Sequence, residues 1–229
     1  MKTPLTPPSR HRFGGKNMIW QPRLPAEIEA ESFRRIEAQV GAHHLPPEVW
    51  FVVRRMIHTT ADPEYLTAAR IHPAAISAGV EALRQGRPVA TDTRMLLAGI
   101  STGRLGRLRA EAFCLMDDPE VAAEAHRRGT TRAAVALERS LPRLAGGIVA
   151  IGNAPTALLR LLELLAEGAP RPALVVGVPV GFVNAAESKD ALAHQDCPYI
   201  TALGPKGGSA VAASIINALA IMALEETPL

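Results

Sequence analysis

The chain has 229 residues, of which 48% are hydrophobic, 21% charged and 4% aromatic, and its formal net charge is +3. That length suits one ordinary domain with a sizeable core, which excludes a disordered or collagen-like chain. The charge is weak, Arg-rich and free of long like-charge runs. It argues against a nucleic-acid binder and suits an anionic small molecule at least as well.

Residues 1–19 combine Pro and basic residues without periodicity and read as a flexible N-terminal extension, with a single domain over 20–229. They lack the apolar stretch of a secretion signal. Ile28, Phe33, Ile36 and Val40 share a stripe and predict a helix over 26–40. A second helix is expected over 47–58, with Pro in its first turn and a stop before Pro63. A third covers 73–85 and closes at Gly86. From there strands and helices alternate. Strands are expected at 88–91, 110–116, 147–151, 173–178 and 199–203, and helices from the Asp-Asp-Pro at 117–119, then at 131–144, 156–167 and 185–194. Residues 207–224 carry no charge, near the lower limit of about 20 residues for a membrane-spanning helix. Ser209, Ser214 and Asn217 make a buried, closely packed helix the better reading, and the protein is expected to be cytoplasmic.

Nearly continuous apolar strands separated by helices describe an α/β fold. The expectation is an open, doubly wound, mostly parallel sheet of about five strands. Helices would cover both faces, and a helical N-terminal segment would lead. In such folds ligands bind beyond the carboxyl ends of the strands. That selects the loops 92–94, 152–156, 179–189 and 204–209.

Gly152-Asn153-Ala154-Pro155 places Asn153 at an expected helix N-cap, where free backbone N–H groups favour an anion. Gly204–Ser209 repeats the pattern with Lys206 adding charge. Plain turn chemistry explains both loops as well, and neither carries a nucleotide-binding glycine fingerprint. The histidines show no metal-binding spacing, and the two cysteines, Cys114 and Cys197, form no paired motif; no metal site is expected. His58 stands apart because it ends a helix, where the dipole favours a positive charge, with Arg54 and Arg55 one turn before it. Such a set could hold an anion and give it a proton, or simply cap the helix. Arg132 opens a helix against the dipole, which points to an anionic partner or to a nearby carboxylate such as Glu138.

Six segments then stand together: 55–62 (RMIHTTAD), 91–100 (TDTRMLLAGI), 129–136 (GTTRAAVA), 148–163 (IVAIGNAPTALLRLLE), 177–192 (GVPVGFVNAAESKDAL) and 202–219 (ALGPKGGSAVAASIINAL). In this order, from about residue 19 to 224, the chain resembles the precorrin-8X (cobalt-precorrin-8) methylmutase family. The resemblance implies an isomerase of cobalamin biosynthesis. It would move a methyl group from C11 to C12 of a corrin precursor by an acid-assisted intramolecular [1,5] shift, giving hydrogenobyrinic acid or its cobalt counterpart. It implies His58 as the catalytic acid, and Ser32, Arg55 and Arg132 as substrate-binding residues; Asn153 joins them as an anion-binding candidate. It implies no cofactor, a polycarboxylate corrinoid as substrate and a homodimer, with the small-residue face of the last helix packing across the subunit boundary. Neither a nucleic acid nor a membrane is expected as partner. The segments 58–62 and 204–209 lean towards the members that act on the cobalt-containing substrate. The alternative is a corrinoid carrier without turnover.

Overall fold

The structure, a computed structural model, describes residues 10–13, 16–19, 24–144 and 146–224. The expected extension over 1–19 lies partly outside these. Within it, β1 (Arg10–Phe13) and β2 (Lys16–Ile19) pair as an antiparallel ribbon. Two helices follow, α1 (Pro25–Val40) and α2 (Pro47–Thr60), each with Pro in its first turn. On the α1 stripe Phe33 is buried, and Ile36 and Val40 pack against the core, whereas Ile28 is 55% exposed.

The main sheet has six strands: β3 (Ala69–Ile71), β4 (Val89–Thr91), β5 (Ala112–Phe113), β6 (Ile148–Ile151), β7 (Leu174–Gly177) and β8 (Tyr199–Ala202). Their spatial order is β3-β8-β7-β6-β4-β5. Only β3 runs antiparallel, with Ala69 opposite Ala202 and Ile71 opposite Ile200. The expected open, mostly parallel sheet is therefore present, with one edge strand more than predicted. Three residues with an exposed Arg70 at the centre carry no legible period, so β3 gives no sequence signal. The expected 110–116 strand shrinks to two residues, because the chain leaves the sheet beyond its pairing with β4.

Strands β6 and β7 are buried at every position because both sheet faces are covered. One face carries α2, α4 (Ala75–Arg84), α5 (Arg94–Gly99), α6 (Thr102–Arg107) and α11 (Ser209–Ala223). The other carries α7 (Pro119–Arg128), α8 (Arg132–Ser140), α9 (Pro155–Ala166) and α10 (Ala185–Ala193), packed in succession. A one-turn helix α3 (Tyr65–Ala68) precedes β3. The short helices α5 and α6 were not predicted. Each opens on a hydroxyl cap, Thr93 Oγ1 accepting from the Leu96 N–H and Ser101 Oγ from the Arg104 N–H.

The uncharged segment forms α11, which is buried against α2, α4 and α5 of the same chain. Its small residues permit that close approach. The expectation that this face packs across a subunit boundary is thus corrected, since the chain itself covers it. Among the described residues no helix is long and apolar enough to cross a membrane.

The chain passes from β4 to α5 on one face, and from the adjacent β6 to α9 on the other. Those opposite exits make a topological switch point between β4 and β6, where α/β sheets open a ligand crevice at their carboxyl ends.

Candidate active site

At this switch point stands Asp92, the first residue after β4. Its Oδ1 accepts from the Gly152 N–H at 3.0 Å, and its Oδ2 accepts from the Asn153 and Ala154 N–H groups at 2.7 Å each. A carboxylate of the chain itself thus occupies the N-terminus of α9. Burial pushes the Asp92 carboxyl above its ordinary range, and the three N–H donors oppose that rise. The N–H groups expected to receive a ligand are already taken. The N-cap of α9 is Ala154 rather than Asn153, which is exposed, and the N-cap residue contributes no side-chain hydrogen bond. Gly152 is required sterically: a Cβ there would lie 2.7 Å from Ser209 Cα, at the start of α11. Thr93 and Ser209 close the same corner with a hydroxyl–hydroxyl bond of 2.9 Å.

Arg132 begins α8 beside this turn, because Thr131 Oγ1 lies 2.9 Å from Thr156 Oγ1 in the first turn of α9. Its expected alternative partner, Glu138, is held instead by Arg128 and Arg160, each at 2.6 Å. Arg132 is exposed and pairs with no carboxylate among the described residues.

The other pole of the edge is the carboxyl end of α2. Ser32 of α1 reaches it, with Oγ 2.8 Å from His58 Nδ1. Arg54 and Arg55 gather about Phe33, whose ring meets the His58 ring edge-on at 5.3 Å between centroids. Ser32, Arg55 and His58, far apart in sequence, therefore do come together. Arg55 is not wholly free: Glu29 Oε1 lies 3.3 Å from its Nη1, and Arg54 is likewise paired with Glu37 at 3.0 Å. Burial lowers the Arg55 pKa, an effect that Glu29 opposes. Ser32, Ile36, Ile57, His58 and Ala61 line a hollow of about 140 Å³. A larger one of about 570 Å³ lies elsewhere, along β3 and α2, and is mostly apolar.

Lys206 does not stand ready for an anion, as the glycine-rich loop suggested. Its Nζ lies 2.5 Å from Asp62 Oδ2 and 2.6 Å from Glu64 Oε2, and these carboxylates raise its pKa to about 12. Beneath it Lys189 is completely buried, donates to the Lys206 carbonyl at 2.5 Å and is brought down to about 8 by desolvation. Sequence reasoning assigned no role to Asp92, Lys189 or the carboxylates Glu29 and Glu37. An aspartate directly after a strand was a usable signal for the first. Nothing local distinguishes Lys189 from a solvent-facing lysine on an amphipathic helix.

An exposed histidine oriented by a serine, with arginines on either side of a sheet's carboxyl edge, defines an α/β protein equipped to bind a polyanion and protonate it. The precorrin-8X methylmutase (CbiC) family model matches residues 27–222. A cobalt-precorrin-8 methylmutase of Priestia megaterium is 43% identical over 199 residues, covering 87% of this chain and 88% of that protein. A precorrin-8X methylmutase of Pseudomonas aeruginosa is 42% identical, covering 84% and 93% respectively. The solved precorrin-8X methylmutase of Thermus thermophilus superposes with a TM-score of 0.79 at 42% identity, over 86% of this chain and 98% of that one. The chain belongs to the precorrin-8X methylmutase family, isomerases of cobalamin biosynthesis.

Proposed function

We propose that this protein moves a methyl group from C11 to C12 of precorrin-8 or its cobalt form, with His58 as the acid. The Ser32–His58 hydrogen bond is the observation that carries this assignment. With Nδ1 engaged by Ser32, Nε2 is the nitrogen left to face a ligand. Protonating a ring nitrogen of the substrate raises the electron demand of the conjugated system. The C11–methyl bond then breaks as the C12–methyl bond forms, and the proton returns to His58. No atom enters or leaves, so the step calls for neither a nucleophile nor an electron carrier. Arg132 and Asn153 are assigned to substrate carboxylates, being exposed at the edge and free of internal carboxylate partners. Arg55 is assigned to the same task at the His58 pole, exchanging Glu29 for a substrate carboxylate.

The finer expectations belong to the same proposal: a cytoplasmic enzyme, working as a homodimer, on the cobalt-containing substrate. Exposed Leu24 at the N-cap of α1 and the apolar hollow along β3 favour a second copy. Sedimentation of the purified chain reads the dimer directly.

The deciding experiment gives wild type and His58→Ala enzymatically prepared precorrin-8, metal-free and cobalt-loaded, and follows the visible spectrum and bound pigment. Conversion by wild type alone, with binding by both, supports His58 as the acid. The better substrate identifies the metal state. Binding by both without conversion by either would leave a carrier and remove the enzyme.

A further inference from the structure

Among the described residues six large hydrophobic side chains are exposed: Leu24, Ile28, Met95, Val180, Phe182 and Val183. They are not scattered. Phe182 and Val183, 96% and 77% exposed, tip the loop after β7, and Val180 lies two residues before them in it. Met95 lies in the first turn after β4. Ile28 stands four residues before Ser32, on the same face of α1. Met95 and the tip residues thus follow the carboxyl ends of the parallel strands β4 and β7, on the edge where the proposed ligand lies, and Ile28 stands on the helix that carries Ser32. Isolated exposed hydrophobes need no explanation, but a cluster at a ligand-binding edge does.

The base of the β7 loop is braced by neighbouring loops. The Val178 N–H donates to the Ile151 carbonyl at 2.8 Å, and the Gly181 N–H to the Pro205 carbonyl at 3.0 Å. Gly207 packs so closely on the Val178 carbonyl that a Cβ there would collide with it. The backbone beneath Phe182 is thus braced at its base, while the exposed ring itself stays free to meet a ligand.

Sheet order places this tip between the two polar poles. On the β8 side, Lys206 holds the turn that follows His58; on the β6 side are Asn153 and, through the Thr131–Thr156 bond, Arg132. An apolar centre with cationic and polar groups on either side matches a flat macrocycle whose faces are apolar and whose periphery carries carboxylates. We propose that Phe182, with Val183, is the platform on which the face of the corrin ring stacks. The platform sets where the ring lies relative to His58. This inference rests on the methylmutase reading and assigns the ring-binding residues within it.

The test titrates cobyrinic acid, a polycarboxylate corrin, into wild type, Phe182→Ala, Phe182→Trp and Arg132→Ala, following visible absorption and visible circular dichroism at two salt concentrations. Phe182 is so exposed that its replacement leaves the core untouched, and thermal melting checks this. Phe182→Ala is expected to weaken binding by about tenfold, equally at both salt concentrations, with Phe182→Trp restoring it. Arg132→Ala is expected to lose affinity mainly at low salt. Equal affinity of wild type and Phe182→Ala overturns the platform while leaving the methylmutase reading intact. Unchanged affinity with a smaller sedimenting mass overturns it too, and gives the tip to a second copy of the chain. Failure of wild type to bind any corrin overturns both readings together.

Discussion

Lys206 Nζ lies 2.5 Å from Asp62 Oδ2, and this pair joins the loop after β8 to the turn that ends α2. The two residues are 144 positions apart, and His58 stands four residues before Asp62. Thr60 carries the connection back into the helix, its hydroxyl donating to the Met56 carbonyl and accepting from the Asp62 N–H. The end of α2 that carries His58 is thereby referenced to the sheet edge where the ligand is expected. A misplacement of about 1 Å can cost a hundredfold in rate, so under the proposed role of His58 the clamp is expected to affect kcat.

Lys206→Met is therefore expected to lower kcat by about tenfold or more while leaving the fold intact. The stabilisation from the clamp has a defined pH window. Hydrogen bonding to Lys206 holds Asp62 below 3.8, so its share is present above that value and lost as pH falls through the lower folded value. Lys206 is raised from 10.5 to about 12, so its share is complete below 10.5 and lost as pH rises through about 12. Melting wild type and Lys206→Met from pH 2 to 12 should give a gap that is flat in the middle and closes at both ends. A gap independent of pH would contradict the pairing.

Ser32→Ala removes the partner of His58 Nδ1 and leaves the ring free to turn. We expect kcat to fall by about tenfold, with pigment binding nearly unchanged, since an orienting bond acts on proton transfer rather than on affinity. Single-turnover absorption changes at saturating substrate measure this. A rise in KM at constant kcat would assign Ser32 to substrate binding instead.

Asp92→Ala leaves three backbone N–H groups at the start of α9 without their acceptor. Stability should drop by about 1–3 kcal/mol. Sulfate or phosphate should restore part of the loss in the variant and not in wild type, because only the variant offers a vacant anion site. Thermal melts with and without sulfate decide the matter.

Lys189 is buried with its ammonium on the Lys206 carbonyl and is brought down to about 8. Between about 8 and 10.5 the unfolded chain holds this proton and the folded chain does not, so stability gained from this group rises with pH across that interval. Relative to Lys189→Met, wild type should accordingly improve as pH rises from 7 to 10. Paired denaturation curves at those two pH values measure the change, and a constant difference would mean that the amine is not desolvated.

Local pattern determined much of this protein. The apolar runs that became β4, β6, β7 and β8, the Pro-led helices and the chemically plain α11 were all readable, since continuous burial and periodicity leave their mark within a few residues. The strand β3 was not readable, because its pairing with β8 is supplied by residues more than a hundred positions away. Family-specific segments pointed to Arg55, Arg132 and His58, and the resemblance as a whole to Ser32, but spacing could not say what each one touches. Only the folded chain decided that Ser32 meets His58, that Asp92 fills the helix N-terminus expected to receive a ligand, and that Lys206 is spent on Asp62. These are contacts between distant segments. A backbone N–H or an ammonium looks the same in sequence whether or not a distant carboxylate has already claimed it.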